Sequence, residues 1–356
     1  MHPAFDAIRP DIARELERLL AARAGELARA GRASAEAVRR LAAFAARGKM
    51  VRGGLLVLGW RMHSGEEGPV PQRVVLRAAA ALELLHSALL VHDDIMDGDR
   101  LRRGEPTVHV RYEEEARRAR VADPGRVGMA LGVSAGDLAI FTALGEIAAL
   151  EVDPALGIAL ARRVGRELAL VAAGQLEDVA LGSDRRWPSR AEVLAVYTYK
   201  TARYSFSLPL ACGALLAGAR PAQVARLDRL GELLGTVFQV LDDDLGMFAS
   251  ETETGKPVGA DIREGKKTLL ARELLRRAGA AERRRLAPLF GKRNLTRRDV
   301  EVVREAAERL GARQAVLDAA ARMAKDAERL VAGLRVDPEH RRVLREICTA
   351  SLGRRA

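Results

Sequence analysis

ELLHSALLVHDDIMDGDRLRRGEPTVH, residues 83–109, begins as an apolar helix, ends in carboxylates and runs directly into a pair of arginines. Asp93 and Asp97 are four residues apart, so on a helix they stack on one face, one turn from each other. His86 and Leu90 precede Asp93 by seven and three residues and share that stripe. Two stacked carboxylates at the end of an apolar wall repel each other and resist desolvation unless positive charge lies between them. Oxygen ligands at this spacing suit Mg²⁺, which keeps several waters and takes one or two carboxylates plus substrate phosphates. Arg102 and Arg103 then offer forked donors that match phosphate oxygens. A DDxxD alone reads equally well as a solvated acidic helix end; acid, base and apolar wall together favour a site.

Outward from this stretch, helical periodicity recurs over 9–30, 35–46 and 52–64. Gly-Pro-Val-Pro at 68–71 breaks the chain before the helix that carries the aspartates, and Asp123-Pro124-Gly125 marks a turn after it. Further helices are expected at 128–150, 155–181, 189–203, 205–217 and 221–247, with four or five shorter ones over 266–352. No period-two strand, low-complexity linker or fixed repeat divides the chain. The expected fold is therefore all-α: one domain, 1–356, as a single large helical bundle around a central apolar cavity. Hydrophobic residues make up 48% of the chain but aromatics only 4%, so the core must be built from Ala, Leu and Val.

The net charge of +11 raises the question of an anionic partner. Basic runs interleaved with aromatics and zinc-ligand spacings are absent from the sequence, so no nucleic-acid partner is expected. Two cysteines, Cys212 and Cys348, exclude a disulfide framework and fit a reducing, cytoplasmic setting. The N-terminal residues mix both charge signs through their periodic pattern, unlike a signal peptide. The most apolar window, 128–150, holds Asp137, Glu146 and four glycines. It reads as a buried core helix, with no stable membrane insertion.

FQVLDDDLGMF, 238–248, is a second helix ending in carboxylates. Gln239, Asp242 and Asp243 share a face, whereas Asp244 is about 200° round from Asp242 and points elsewhere. Gly246 stands where a stacked carboxylate would complete the pattern of the first site. Two acidic helix ends facing each other would hold several Mg²⁺ ions against one diphosphate. Lysines cluster near glycines in GKMVRGG (Lys49, with Arg52) and GKPVGADIREGKKT (Lys256, Lys266, Lys267), and Lys200-Thr201 lies where a helix ends or bends. Glycine beside lysine permits close backbone approach to an anion. Glu83 shares the His86 face and is a candidate for orienting that imidazole.

These segments resemble the trans-isoprenyl diphosphate synthases, or polyprenyl synthetases, over nearly the whole chain. The matching motifs are GKMVR (48–52), the stretch quoted above, GDL (136–138), YKTA (199–202), FQVLDD (238–243) and GKPVGADIREGKKTLL (255–270). The resemblance implies the isoprenoid synthase fold, two to three Mg²⁺ per active site and a homodimer. It implies that Asp93, Asp97 and Asp242 bind the metal, supported by Asp94 and Asp243. Arg102, Lys200, Thr201, Gln239, Lys256 and Lys266 would then meet an allylic diphosphate. Lys49, Arg52, His86 and Arg103 would hold the diphosphate of isopentenyl diphosphate. Two departures stand out: Met50 and Gly53 replace an arginine and a proline of the usual basic motif, and Gly246 replaces the last aspartate of the second acidic motif.

The implied reaction is ionisation of the allylic diphosphate, addition of isopentenyl diphosphate and loss of a proton, which lengthens the chain by five carbons. In the family, bulk at the fourth and fifth positions before the first aspartate, here Leu89 and Ala88, limits product length. Burying another isoprene unit contributes about 4 kcal/mol at about 0.8 per carbon, so growth needs a steric floor. Small Ala88 and moderate Leu89 point to geranylgeranyl diphosphate, with longer chains (C25 and above) next and farnesyl diphosphate as a further alternative, and with Phe141 and Leu144 as candidates for the floor. A class I terpene cyclase shares the acidic motif but has no need of the second diphosphate site. A non-catalytic subunit would be expected to lack one or both metal motifs.

Overall fold

Apolar residues at helical spacing decide where the elements form, and small side chains decide how closely they pack. A computed structural model of the chain describes residues 3–64, 68–249, 259–292 and 294–353. It divides into two units, Met1–Gly165 with Pro209–Val224 and Arg166–Leu208 with Ala225–Ala356. The fold is all-α, as expected.

The first unit is built around α4 (Gln72–Met96). Helices α1 (Pro3–Ala28), α2 (Arg32–Ala46) and α3 (Val51–Ser64) pack on it from one side of the sequence. From the other come α5 (Val108–Arg118) and α6 (Pro124–Ala148). The alanine run Ala78–Ala81 makes this possible: each is no more than 2% exposed. With no side chain beyond Cβ, neighbouring helices approach α4 closely on several faces. The Asp-Pro-Gly turn becomes the start of α6, where the Asp123 carboxylate accepts from the Arg126 amide at 3.0 Å and Pro124 occupies the first turn.

Two expectations are corrected here. A short antiparallel hairpin, β1 (Leu101–Arg102) with β2 (Glu105–Pro106), follows α4 where no strand was expected. Its two-residue turn puts both Arg103 (φ 54°) and Gly104 (φ 76°) in the left-handed region, the geometry that suits the twist of paired strands. Helix α6 is not the buried helix its composition implied: only 33% of its apolar window is buried, against 72% for α4. One face packs on α4 and α5, while Met129, Val133 and Phe141 stay exposed on the other. Phe141, at 69% exposure, is no floor for a cavity within this chain.

The chain continues through α7 (Pro154–Ser183), α8 (Arg190–Val196), a π-helix (Tyr197–Ser207), α9 (Leu208–Leu216) and α10 (Pro221–Phe248). Beyond it are α11 (Ala260–Glu264), α12 (Leu269–Arg277), α13 (Ala280–Leu286), α14 (Arg297–Arg309), α15 (Ala312–Ala332) and α16 (Pro338–Gly353). In the second unit Val237, Val240, Leu241, Ile262, Leu274 and Val303 belong to one buried cluster. The expected break between two helices near residue 204 is instead continuous π-helix. Its wide turns are pinned from outside: Arg203 binds Glu167 on α7 at 2.6 and 2.9 Å and also pairs with Glu232 on α10. The backbone of α10 comes so close that a Cβ at Gly235 would stand 2.4 Å from the Ala202 Cα. Gly235→Ala should therefore cost about 1–3 kcal/mol through forced backbone shifts. Gly25→Ala, in the last turn of α1 with nothing within 4 Å of the added carbon, should gain up to about 0.5 kcal/mol. Urea denaturation of both variants checks the pair.

Candidate active site

Along α4, His86, Leu89, Leu90, Asp93 and Asp97 are all partly open, whereas most of the helix is buried. At 100° per residue these five fall within one arc of about 100°, so the carboxylates lie at the end of an apolar wall, as the spacing predicted. Asp97 caps the helix, its amide donating to the Asp93 carbonyl at 2.8 Å. Ala88 is different: it lies about 140° round the axis from Asp93 and is 0% exposed. Of the two expected chain-length positions, only Leu89 faces the open stripe.

Asp94 turns inward and is 0% exposed. Its Oδ1 accepts from Arg102 Nε at 2.6 Å, while its Oδ2 is buried without a hydrogen bond. Burial raises its pKa to about 7, against the pull of Arg102. Arg102 also lies 3.7 Å from Asp93 Oδ2 and from Asp99 Oδ2. Asp94 thus anchors the arginine beside the open aspartates, which is how it supports them here.

The basic cluster assembles around Glu83, which is only 3% exposed. Its carboxylate accepts from the Gly53 amide at 2.7 Å and from the Arg52 amide, at the start of α3. Burial raises its pKa, and Arg52, these two amides and Arg103 oppose the rise. His86 is pushed well below its usual pKa by burial and by Arg52, Arg103 and Arg102, so it is a neutral donor at physiological pH. Lys49 lies exposed in the loop before α3, and Arg47 ties that loop to the hairpin through Glu105 at 3.1 Å. The expected residues Arg52, His86 and Arg103 therefore come together in one place. Arg103 holds a left-handed conformation that costs an L-residue about 1–2 kcal/mol.

The GDL motif also finds its reason. The His92 ring packs where a Cβ on Gly136 would meet Nε2 at 2.2 Å. That nitrogen lies 3.1 Å from the Val133 carbonyl and 3.4 Å from Asp137 Oδ1. The contact joins α6 to α4 one residue before Asp93.

In the second unit the three consecutive aspartates of α10 separate. Asp242 is exposed. Asp243 is buried, accepting from the Tyr197 hydroxyl and from Gln239 Nε2 at 2.8 Å. Burial and the nearby Asp261 charge raise its pKa well above the carboxylate range. Asp244 faces away, as its helical angle predicted, and its two oxygens accept hydrogen bonds from Arg313 Nε and Nη2 at 2.8 and 3.1 Å. The π-helix adds Lys200, 2.6 Å from Asp178 Oδ2, and Thr201, which donates to Gln239 Oε1 at 2.9 Å. Thr201, Gln239 and Asp243 thus form a relay of hydrogen bonds that ends one residue from Asp242. Lys266 pairs with Glu264 at 2.8 Å, whereas Lys267 donates to the Asp184 and Arg186 carbonyls. Lys256 lies outside the described residues.

Asp178, Asp261 and Tyr197 were missed in the sequence. Asp178 lies in GQLED near the end of another apolar helix, α7, the same kind of signal that singled out α4 and α10. Asp261 Oδ2 stands 2.8 Å from where a Cβ on Gly246 would be, so a carboxylate from another segment occupies the neighbourhood of the absent fourth-position aspartate. Among the described residues no three carboxylate, imidazole or thiol groups converge as a preformed metal cage. Pairs of partly open carboxylates still fit Mg²⁺, which takes one or two of them plus phosphate oxygens and water.

The model of the polyprenyl synthetase family matches residues 38–310. The chain is 37% identical to a geranylgeranyl diphosphate synthase of Sulfolobus acidocaldarius over 63% of each chain. It is 34% identical to that of Saccharolobus solfataricus over 72% of each. The match thus spans less than two thirds of the Sulfolobus enzyme. A crystal structure of geranylgeranyl pyrophosphate synthase from Corynebacterium glutamicum, complexed with isoprenyl diphosphate and magnesium, superposes with a TM-score of 0.93 at 29% identity. It covers 100% of this chain and 99% of that one. With acidic helix ends, basic loop and π-helix all falling on the motifs that define such enzymes, the chain belongs to the polyprenyl synthetase family.

Proposed function

We propose that the protein is a trans-prenyltransferase that condenses isopentenyl diphosphate with an allylic diphosphate, giving geranylgeranyl diphosphate as its main product. The observation that carries this reading is the open stripe of α4, which joins an apolar wall to Asp93 and Asp97 beside Arg52, His86 and Arg103. Two of the relatives are named geranylgeranyl diphosphate synthases, which supports the product assigned. Both units carry motifs the reaction requires, so 1–356 functions as one catalytic domain.

In this reading Asp93, Asp97 and Asp242 hold two to three Mg²⁺. When bound, the metal supplies positive charge that stabilises the departing diphosphate. Arg102, fixed by Asp94, and Lys200, fixed by Asp178, hold the allylic diphosphate, with Lys256 and Lys266 as further cations. Preorganised in this way, the cations spend no reorganisation energy as charge develops on the leaving group. Thr201 and Gln239 position the same diphosphate. Lys49, Arg52, His86 and Arg103 hold the isopentenyl diphosphate so that its alkene meets the allylic carbon. Leu89 and Leu90 line the route of the growing tail and keep water from the cation. No side chain is assigned as general base; released diphosphate takes the proton.

The exposed face of α6 is assigned to a second copy of the chain. Met129, Val133 and Phe141 form an apolar surface of the kind that proteins cover. The surplus positive charge serves anionic small molecules, with no nucleic acid and no stable membrane insertion, and the setting assigned is cytoplasmic.

Radiolabelled isopentenyl diphosphate, incubated with each allylic primer and Mg²⁺ and followed by chromatography of the dephosphorylated products, tests the activity. Asp93→Ala should lower turnover by about 10³-fold or more while leaving the circular dichroism unchanged; an active variant would remove the metal assignment. In the same assay Leu89→Phe should shorten the product, whereas Ala88→Phe should instead destabilise the fold by about 1–3 kcal/mol through overpacking. If Leu89→Phe leaves product length unchanged, the tail does not run along this stripe. Light scattering after gel filtration should give a dimer that Phe141→Glu shifts towards monomer; a monomeric parent protein would refute the dimer.

A further inference from the structure

The first amides of α3 have no helical partners, and an anion is the natural ligand for such a helix end. Here a protein carboxylate occupies it: Glu83, 3% exposed, reaches across from α4 and accepts from the Gly53 amide at 2.7 Å and from the Arg52 amide. Glu83 is itself fixed from below, where Ser87 Oγ donates to its backbone carbonyl at 2.9 Å. The segment it grips is unusual. Met50, 2% exposed, is held at φ 52° immediately before the helix, and the Met50 carbonyl accepts the first helical bond from the Gly54 amide at 2.9 Å. A bulky residue persists in the left-handed region only where its surroundings over-determine it.

Gly53 also becomes intelligible. The usual basic motif has proline at this position, and proline has no amide hydrogen to give. Glycine supplies the donor, and a Cβ here would in any case meet Ile12 Cδ1 at 3.0 Å.

We propose that Glu83 is the positioning residue of the isopentenyl diphosphate site, and that it acts through the Gly53 amide. By capping α3 it sets the side from which Arg52 and the Lys49 loop approach His86 and Arg103. It touches no reacting atom; its function is to hold the cations in register before the substrate arrives. The proposal rests on the reading of Lys49, Arg52, His86 and Arg103 as that site.

The test uses the full chain and calorimetric titration with isopentenyl diphosphate, together with KM and kcat for both substrates. Glu83→Gln keeps an acceptor and should change Kd by about threefold or less. Glu83→Ala should weaken binding by about tenfold or more, and Gly53→Pro, whose backbone suits a first helical turn once the Ile12 side chain shifts, by about three- to tenfold. Because both remove the same bond, the double variant should bind no more than about twofold weaker than Glu83→Ala alone. KM for the allylic substrate and kcat at saturation should stay within about twofold of the parent. Unchanged Kd in Glu83→Ala and Gly53→Pro, with Arg52→Ala weakened, overturns the positioning role and leaves the site standing. Additive losses, or an equal rise in KM for both substrates, also overturn it. An Arg52→Ala variant that binds normally removes the site itself. If Glu83→Ala does not fold, Gly53→Pro against Arg52→Ala decides alone.

Discussion

Two stacked carboxylates cannot be buried without a partner, and the first unit is arranged around that constraint. Helix α4 is packed by neighbours on most faces, yet its stripe from His86 to Asp97 stays open. The alanine run at 78–81 lets the other faces be buried without bulk, so the helix is rigid where it is covered and accessible where it carries charge. The hairpin after α4 returns Arg102 onto Asp94, placing a fixed guanidinium beside the open pair. Coulombic attraction at a partly wet site is modest, but Asp94 is fully buried, and removing its partner would leave an uncompensated carboxyl in the core.

The same logic separates identical residues. Consecutive helical positions are 100° apart, so Asp242, Asp243 and Asp244 meet three environments. Solvent meets the first, Tyr197 and Gln239 the second, and Arg313 the third, whose guanidinium also stacks on the Phe248 ring at 3.7 Å. Of the three, Asp242 is the one exposed to an external ion. Asp93 and Asp94 divide in the same manner. Function in such a run belongs to the angle around the helix as much as to the residue type.

That angle was legible in the sequence wherever the partner was solvent or lay nearby in the chain. Helical periodicity located α4, α7 and α10 to within a few residues, and it turned Asp244 away from Asp242 before any contact was known. Long-range partners were not legible. Glu83 meets Gly53 across thirty positions, and Lys200 meets Asp178 across twenty-two, with nothing local to announce either pair. Residues 197–207 look like ordinary helix because the π-turns depend on Arg203 being pinned by Glu167 and Glu232. Phe141 failed for a related reason, and Ala88 lies on a covered face, away from the open stripe. Periodicity names the faces of a helix, but what covers each face is decided by other segments, and Phe141 proved to be on an uncovered one.

The basic cluster carries its own electrostatic difficulty, since Arg102 and Arg52 both act on Arg103 as like charges. Two features reduce that cost. His86 is kept neutral, so it contributes a hydrogen bond without a further positive charge. Glu83 places a single negative charge behind the arginines, where the amides of α3 hold it in place. Glu83 is one carboxylate facing two guanidinium groups, Arg52 and Arg103. A diphosphate bound there, as proposed, would relieve the repulsion that folding imposes, and its affinity would be raised by that relief. A cluster fully neutralised by its own acids would fold more easily and bind less well. The left-handed Arg103 fits this account, because a cation is kept at a turn position that glycine or asparagine would occupy at lower cost.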